Sequence, residues 1–94
     1  MYQAIQTRYL GPSNVRGSRI KAFADAGSVT LSWDHRLNPE GNHIAAAKAL
    51  ASKLGWHGNY FGGTLPNQDM AFIWSPVLFN EPAFTVKENE AEAA

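Results

Sequence analysis

The stretch Arg19-Ile20-Lys21-Ala22-Phe23-Ala24-Asp25-Ala26-Gly27-Ser28-Val29-Thr30-Leu31-Ser32-Trp33 decides the fold. Its first run alternates Ile20, Ala22 and Ala24 with Arg19, Lys21 and Phe23. Its second, over 28–33, alternates Val29, Leu31 and Trp33 with Ser28, Thr30 and Ser32. Period two is the mark of a strand, because successive side chains point to opposite faces of a sheet. Asp25-Ala26-Gly27-Ser28 supplies turn residues for a tight reversal. The two runs therefore predict an antiparallel hairpin.

Upstream, residues 2–10 predict another strand, with Ile5, Thr7 and Tyr9 on one face and Gln6 and Arg8 on the other. Gly11-Pro12-Ser13-Asn14 follows as a turn, since Pro fixes φ while Gly and Asn tolerate left-handed conformations. The loop runs on through Val15-Arg16-Gly17-Ser18. Downstream, Leu37 to Asn42 leads into a helix. Asn38 caps it with Pro39 at the first helical position, or Asn42 caps it one turn later. Ile44, Ala47, Leu50, Ala51 and Leu54 make an apolar stripe at helical spacing, with His43, Lys48, Ser52 and Lys53 read as lying off it. Lys53 suits the negative end of the helix dipole, and Gly55 suits a left-handed exit.

Beyond the helix, Trp56 is expected to close the core. Residues 59–62 and 70–75 predict a second hairpin around a polar glycine-rich loop, 62–69. Met70, Phe72 and Trp74 share one face of its second strand, and Ala71 and Ile73 the other. Pro76 ends that strand. Val77 to Val86 reads as an extended arm held by Leu78, Phe79 and Phe84. The fold class is α+β: a small, mostly antiparallel sheet with one helix packed on a face, in the order β-β-β-α-β-β. One domain is expected over 1–86, with an acidic flexible tail over 87–94.

Composition sets the function classes. The chain has 94 residues, 45 % of them apolar, and three Trp, five Phe and three Tyr, enough for a core without crosslinks. It has no Cys, which removes disulfides, thiolate metal sites and Cys nucleophiles. No basic region leads into an apolar stretch and no apolar run is of membrane-spanning length, so a cytoplasmic location is expected. Net charge is zero but uneven. Residues 1–80 hold seven Lys or Arg against four Asp or Glu, whereas residues 81–94 hold one against four. A basic body suits an anionic partner.

The segment Gly11 to Arg19 carries two guanidinium groups, hydroxyls and a flexible backbone, which suit phosphate or carboxylate oxygens. It is not a P-loop, because GxxxxGK[ST] is absent. In the structural alternative its Arg side chains are solvated or bridge to Asp25 or Asp34. Arg8, Asn14, Arg16, Ser18, Arg19, Lys21 and Arg36 are the candidate partner-binding residues. Trp33-Asp34-His35-Arg36 resembles a catalytic cluster, but adjacent strand residues point apart, so Asp34 and His35 are expected to link the strand end to the helix start. His35, His43 and His57 have no metal-site spacing and HExxH is missing. No catalytic, metal or cofactor residue is assigned, and the chain is read as non-enzymatic. Tyr60, Phe61, Phe72 and Trp74 are either a base-stacking platform or core.

Further elements carry a resemblance. They are Met1-Tyr2-Gln3-Ala4-Ile5, Tyr9-Leu10-Gly11-Pro12, Arg16-Gly17-Ser18-Arg19, Gly27-Ser28-Val29-Thr30, and Asn42-His43 with the Ala-rich helix to Leu54-Gly55-Trp56. With these the chain, over roughly residues 1–75, resembles a group of small proteins carried by bacterial plasmids, integrative elements and phages. Small proteins of such elements often counter host defence. The resemblance therefore implies an inhibitor of a host defence complex such as CRISPR interference, with a protein complex or nucleoprotein as partner. DNA or RNA binding as an accessory protein is the alternative, and a purely structural or interaction domain a further one. No membrane partner is expected.

Overall fold

A computed structural model describes residues 3–76 and 81–87. The expected arm residues Val77, Leu78 and Phe79, the first two residues of the chain, and the tail beyond Lys87 lie outside them.

The alternating segments form strands β1 (Ile5–Leu10), β2 (Arg19–Ala24) and β3 (Gly27–Ser32). Helix α1 (Pro39–Leu54) follows, then β4 (Gly58–Thr64), β5 (Met70–Ser75) and the short β6 (Phe84–Val86). The α+β class and the order of the first six elements agree with the sequence reading. The sixth strand adds to it, since Phe84 to Val86 pairs with β4 instead of running on as a free arm.

All six strands belong to one antiparallel sheet, ordered β3-β2-β1-β5-β4-β6. The N-terminal strand is thus central, flanked by β2 on one side and β5 on the other. The registers Thr7↔Ala22 and Thr7↔Met70 put Thr7 between its two neighbours.

Cap chemistry determines where α1 starts. Asn38 is extended, and its side-chain oxygen accepts from Gly41 N–H at 2.6 Å. Pro39 follows at the first helical position, as the first of the two expected alternatives has it. Asn42 sits inside the helix at 2 % exposure. Its Oδ1 accepts from Asp34 N–H at 2.8 Å and its Nδ2 donates to the carbonyls of Asp34 and Asn38 at 2.9 and 3.2 Å. It therefore ties the β3–α1 loop to the helix. Gly55 ends the helix in the left-handed region at φ 75°, donating to the Ala51 and Ser52 carbonyls.

The helix lies on one face of the sheet. Ala46, Ala47, Leu50 and Ala51 bury themselves against Ile5, Ile20, Ala22, Tyr60, Phe72, Phe84 and Val86. Burying a side chain such as Leu50 or Phe72 contributes about 1.5–3 kcal/mol. Val29, Leu31, Trp33, Ile44, Leu54, Trp56, Met70 and Trp74 pack around that core. Tyr60 and Phe72 are thus core and not a solvent platform, with Tyr60 stacked on Phe84 at 4.8 Å.

Two expectations are corrected. His43 is buried at 5 % exposure, not off the apolar stripe. It stands four residues before Ala47 and seven before Leu50, so it shares their face. β4 runs two residues past its expected end at Gly62, taking in Gly63 and Thr64 from the expected loop. Gly62 lies opposite Phe72, where a Cβ would meet the Phe72 ring at 2.6 Å. A missing side chain there makes room for that ring.

Candidate binding surfaces

The face of the sheet turned away from α1 carries the alternate residues of each strand. On β1 these include Gln6 and Arg8, and on β2 Arg19, Lys21 and Phe23. Arg8 lies directly opposite Lys21. The Arg8 guanidinium and the Lys21 ammonium sit 5.4 and 5.6 Å from the Phe23 ring centre, within cation–π range. Arg19 continues the row one strand position away. Its Nε is buried without a hydrogen-bond partner. Ser28, Thr30 and Ser32 of β3 extend this side with exposed residues.

The carboxylate bonded to this cluster is Asp69, which is 5 % exposed. It accepts from Gln6 Nε2 at 2.8 Å, Arg8 Nε at 2.9 Å and Asn67 Nδ2 at 3.2 Å. Burial pushes the Asp69 carboxyl up, but these donors and the Arg8 charge outweigh it and hold it below the usual carboxylate range. The negative charge is buried while the cations stay accessible, so the surface that solvent meets is positive.

Three of the candidate residues, Arg8, Arg19 and Lys21, are thereby brought together. Asn14 and Arg16 lie on the exposed β1–β2 loop, a turn tied by Ser13 N–H to the Arg16 carbonyl at 2.7 Å. Arg36 stands apart on the β3–α1 loop, paired with Asp34 at 3.1 Å. Its guanidinium and backbone N–H hold the Asp34 carboxyl below its usual range. Of the structural alternative in which the loop's Arg side chains are solvated or bridge to Asp25 or Asp34, the bridge to Asp34 is taken by Arg36 instead. Asp34 does link the strand end to the helix, through its backbone bonds to Asn42 rather than its carboxylate.

Ser18 faces the opposite way. Its hydroxyl bonds the Tyr9 hydroxyl at 2.9 Å, and both line a cleft of about 510 Å³. Tyr9, Ser18, Trp33, His35, His43 and Met70 are among its walls. Three connections meet there, because β1, β3 and the β4–β5 hairpin all end at one edge of the fold. Trp33 N–H donates to the Ser18 carbonyl at 3.0 Å and joins two of them. Tyr9 and Trp33 form an edge-to-face pair at 5.0 Å. Below them, Thr7 Oγ1 lies 2.7 Å from His43 Nδ1 in the buried interior. Burial pushes the His43 imidazole below its ordinary value, with Asp69 opposing weakly.

The sequence reading found the basic residues but not this cleft, whose parts are separated by up to 61 positions. No group of three His, Cys, Asp or Glu side chains that could hold a metal occurs among the described residues. Among the same residues no helix is long and apolar enough to cross a membrane. Comparison with protein-family models, curated proteins and solved structures finds no match.

Proposed function

We propose that this chain is a non-catalytic binding module that holds an extended polyanion on its helix-free sheet face. The partner is single-stranded nucleic acid, alone or displayed by a host defence nucleoprotein such as a CRISPR effector. One observation carries the reading: Arg8 and Lys21 stand opposite each other on adjacent strands with Arg19 two residues along β2, while Asp69, the carboxylate that Arg8 holds, is buried. Like charges directly opposite each other destabilise a sheet. The row serves folding through the Arg8–Asp69 pair and the contacts with Phe23, whereas Arg19 and Lys21 pair with no carboxylate among the described residues, and a row of cations suits a chain of phosphates better than a single small anion. Phe23 adds an aromatic edge between the cations, a combination common in single-strand binding surfaces. The resemblance to mobile-element proteins supplies the setting of host defence.

The non-catalytic part rests on access. The hydroxyl bonded to His43, that of Thr7, is fully buried, which keeps a substrate carbonyl or phosphorus from it.

Anisotropy of a labelled single-stranded oligonucleotide, measured from about 50 to 200 mM salt, tests the reading. Three phosphate contacts give a log–log salt slope of about −2. Arg19→Met with Lys21→Met removes two of them, and the slope falls to below about 1 in magnitude. No binding at the lowest salt, or binding with no salt dependence, overturns the proposal. Inhibition of a reconstituted CRISPR effector by the parent chain, lost in the double variant, tests the setting.

A further inference from the structure

The cleft lies across the edge of the sheet from the basic row, and nothing above gives it a role. Its chemistry is specific. The Thr7 hydroxyl makes a long bond of 3.4 Å to the Met70 carbonyl. Thr7 Oγ1 and His43 Nδ1 share a hydrogen bond at 2.7 Å whose direction follows the tautomer of the ring. A hydrogen bond at one ring nitrogen sets the role of the other, so His43 Nε2 is an acceptor when Nδ1 carries the hydrogen and a donor when Nδ1 accepts from Thr7. It has no hydrogen-bond partner among the described residues, and the ring lines the cleft.

The Tyr9–Ser18 pair provides the complementary group. Two hydroxyls share one bond between them, which uses one hydrogen and leaves the other free to donate. Trp33, Met70 and Pro39 supply apolar wall between these polar groups. A cleft of about 510 Å³ falls within the size range of small-ligand sites, roughly 300–1,000 Å³. It offers the paired hydroxyls, the His43 ring and aromatic surface, with His35, Asn67, Gln68 and Asp69 as further polar walls. That set fits a flat heterocycle whose edge carries both an N–H and an acceptor atom.

We infer that the cleft between Tyr9, Ser18, Trp33 and His43 is a binding site for one unstacked nucleobase. This rests on the nucleic-acid reading of the sheet face and deepens it: the face holds phosphates, and the cleft takes a base from the same strand. The β1–β2 loop joins the two surfaces. Ser18 lines the cleft and Arg19, the next residue, belongs to the basic row. Bases bound in this way pair through their exposed edges and pack on aromatic side chains. Burial holds the basicity of His43 down, which favours the neutral ring, with one nitrogen a donor and the other an acceptor.

Titration of the labelled chain with adenosine, cytidine, guanosine and uridine monophosphates, followed by NMR, tests this. At least one nucleotide shifts the Trp33 indole and His43 imidazole signals saturably. Ribose 5-phosphate and inorganic phosphate leave them unmoved. Tyr9 is 47 % exposed, so Tyr9→Leu still folds, with Tm lowered only by the lost pair with Trp33, and it weakens nucleotide binding tenfold or more. Equal shifts from ribose 5-phosphate, or nucleotide affinity unchanged in Tyr9→Leu, overturn the inference. Strand binding with its salt slope intact, but no mononucleotide response, overturns the cleft and leaves the face standing. Saturable mononucleotide binding without salt-dependent strand binding supports the cleft and removes the reading of the face.

Discussion

Asn42→Ala is expected to cost more stability than any other single helix substitution outside the apolar stripe. Asn42 is 2 % exposed and closes the β3–α1 loop onto the helix. Its bonds to the Asp34 backbone measure 2.8 and 2.9 Å, with a third to Asn38 at 3.2 Å. Each neutral hydrogen bond contributes about 0.5–1.5 kcal/mol net. The Asp34 N–H left without its acceptor adds about 1 kcal/mol, the low end of the range, since water reaches a half-buried loop. Alanine returns roughly 0.5 kcal/mol through helix propensity. The net loss is about 2–5 kcal/mol, which lowers Tm by at least about 10 °C in a domain of this size. Urea unfolding reads it as a lower midpoint at constant slope. Because the loop carries Trp33 and His35 to the cleft, nucleotide binding weakens in the same variant. A loss below about 0.5 kcal/mol would refute the reasoning, since that is no more than the removal of one exposed bond.

Gly62→Ala puts a Cβ at 2.6 Å from the Phe72 ring and costs about 1–3 kcal/mol, whereas Gly63→Ala meets open space and leaves the urea midpoint nearly unchanged. Equal effects at the two positions would mean that the ring yields freely. Arg16→Ala leaves melting intact and weakens strand capture, while Trp33→Ala lowers Tm by removing the edge-to-face partner of Tyr9 and packing at the core margin. Early melting of Arg16→Ala would mark the loop as structural. Stability falls as pH drops from about 7.5 to 5.5. The folded state holds the His43 pKa below its unfolded value, so the unfolded chain binds the extra proton and stability present above the unfolded pKa is lost on acidification. Asp69 acts separately and lower: its depressed pKa gives stability that is lost only as pH falls through its folded value. A urea midpoint unchanged between the two pH values would show that His43 titrates normally in the fold.

The resemblance between β2 as expected and as found shows how local the strand signal is. Arg19–Ala24 and Met70–Ser75 match their expected bounds because alternation and flanking turn residues lie within the strands themselves. The helix ends were legible for the same reason: Asn38, Pro39 and Gly55 act on backbone groups within one turn. His43 was legible in phase and was misplaced on polarity. Its spacing from Ala47 and Leu50 puts it on the buried face, and the Thr7 hydroxyl that satisfies it is 36 positions away.

The sequence by itself determined the first six secondary elements, the fold class, the composition of the two sheet faces and the excess of cations in the body. Tertiary structure alone decided that β1 lies at the centre, between β2 and β5, because strand pairing over more than 60 positions is chosen by the best joint burial of the apolar faces and not by any local signal. It alone decided that Asp69 meets Arg8 and Gln6, since those partners come from opposite ends of the chain. Gly63 and Thr64 were drawn into β4 by pairing, Gly63 against its low strand preference, and the Phe72 ring takes the space that Gly62 leaves. The cleft, too, exists only in three dimensions: a sheet whose strands end together carries three loops to one edge, and their side chains acquire a shared chemistry that none of them has alone.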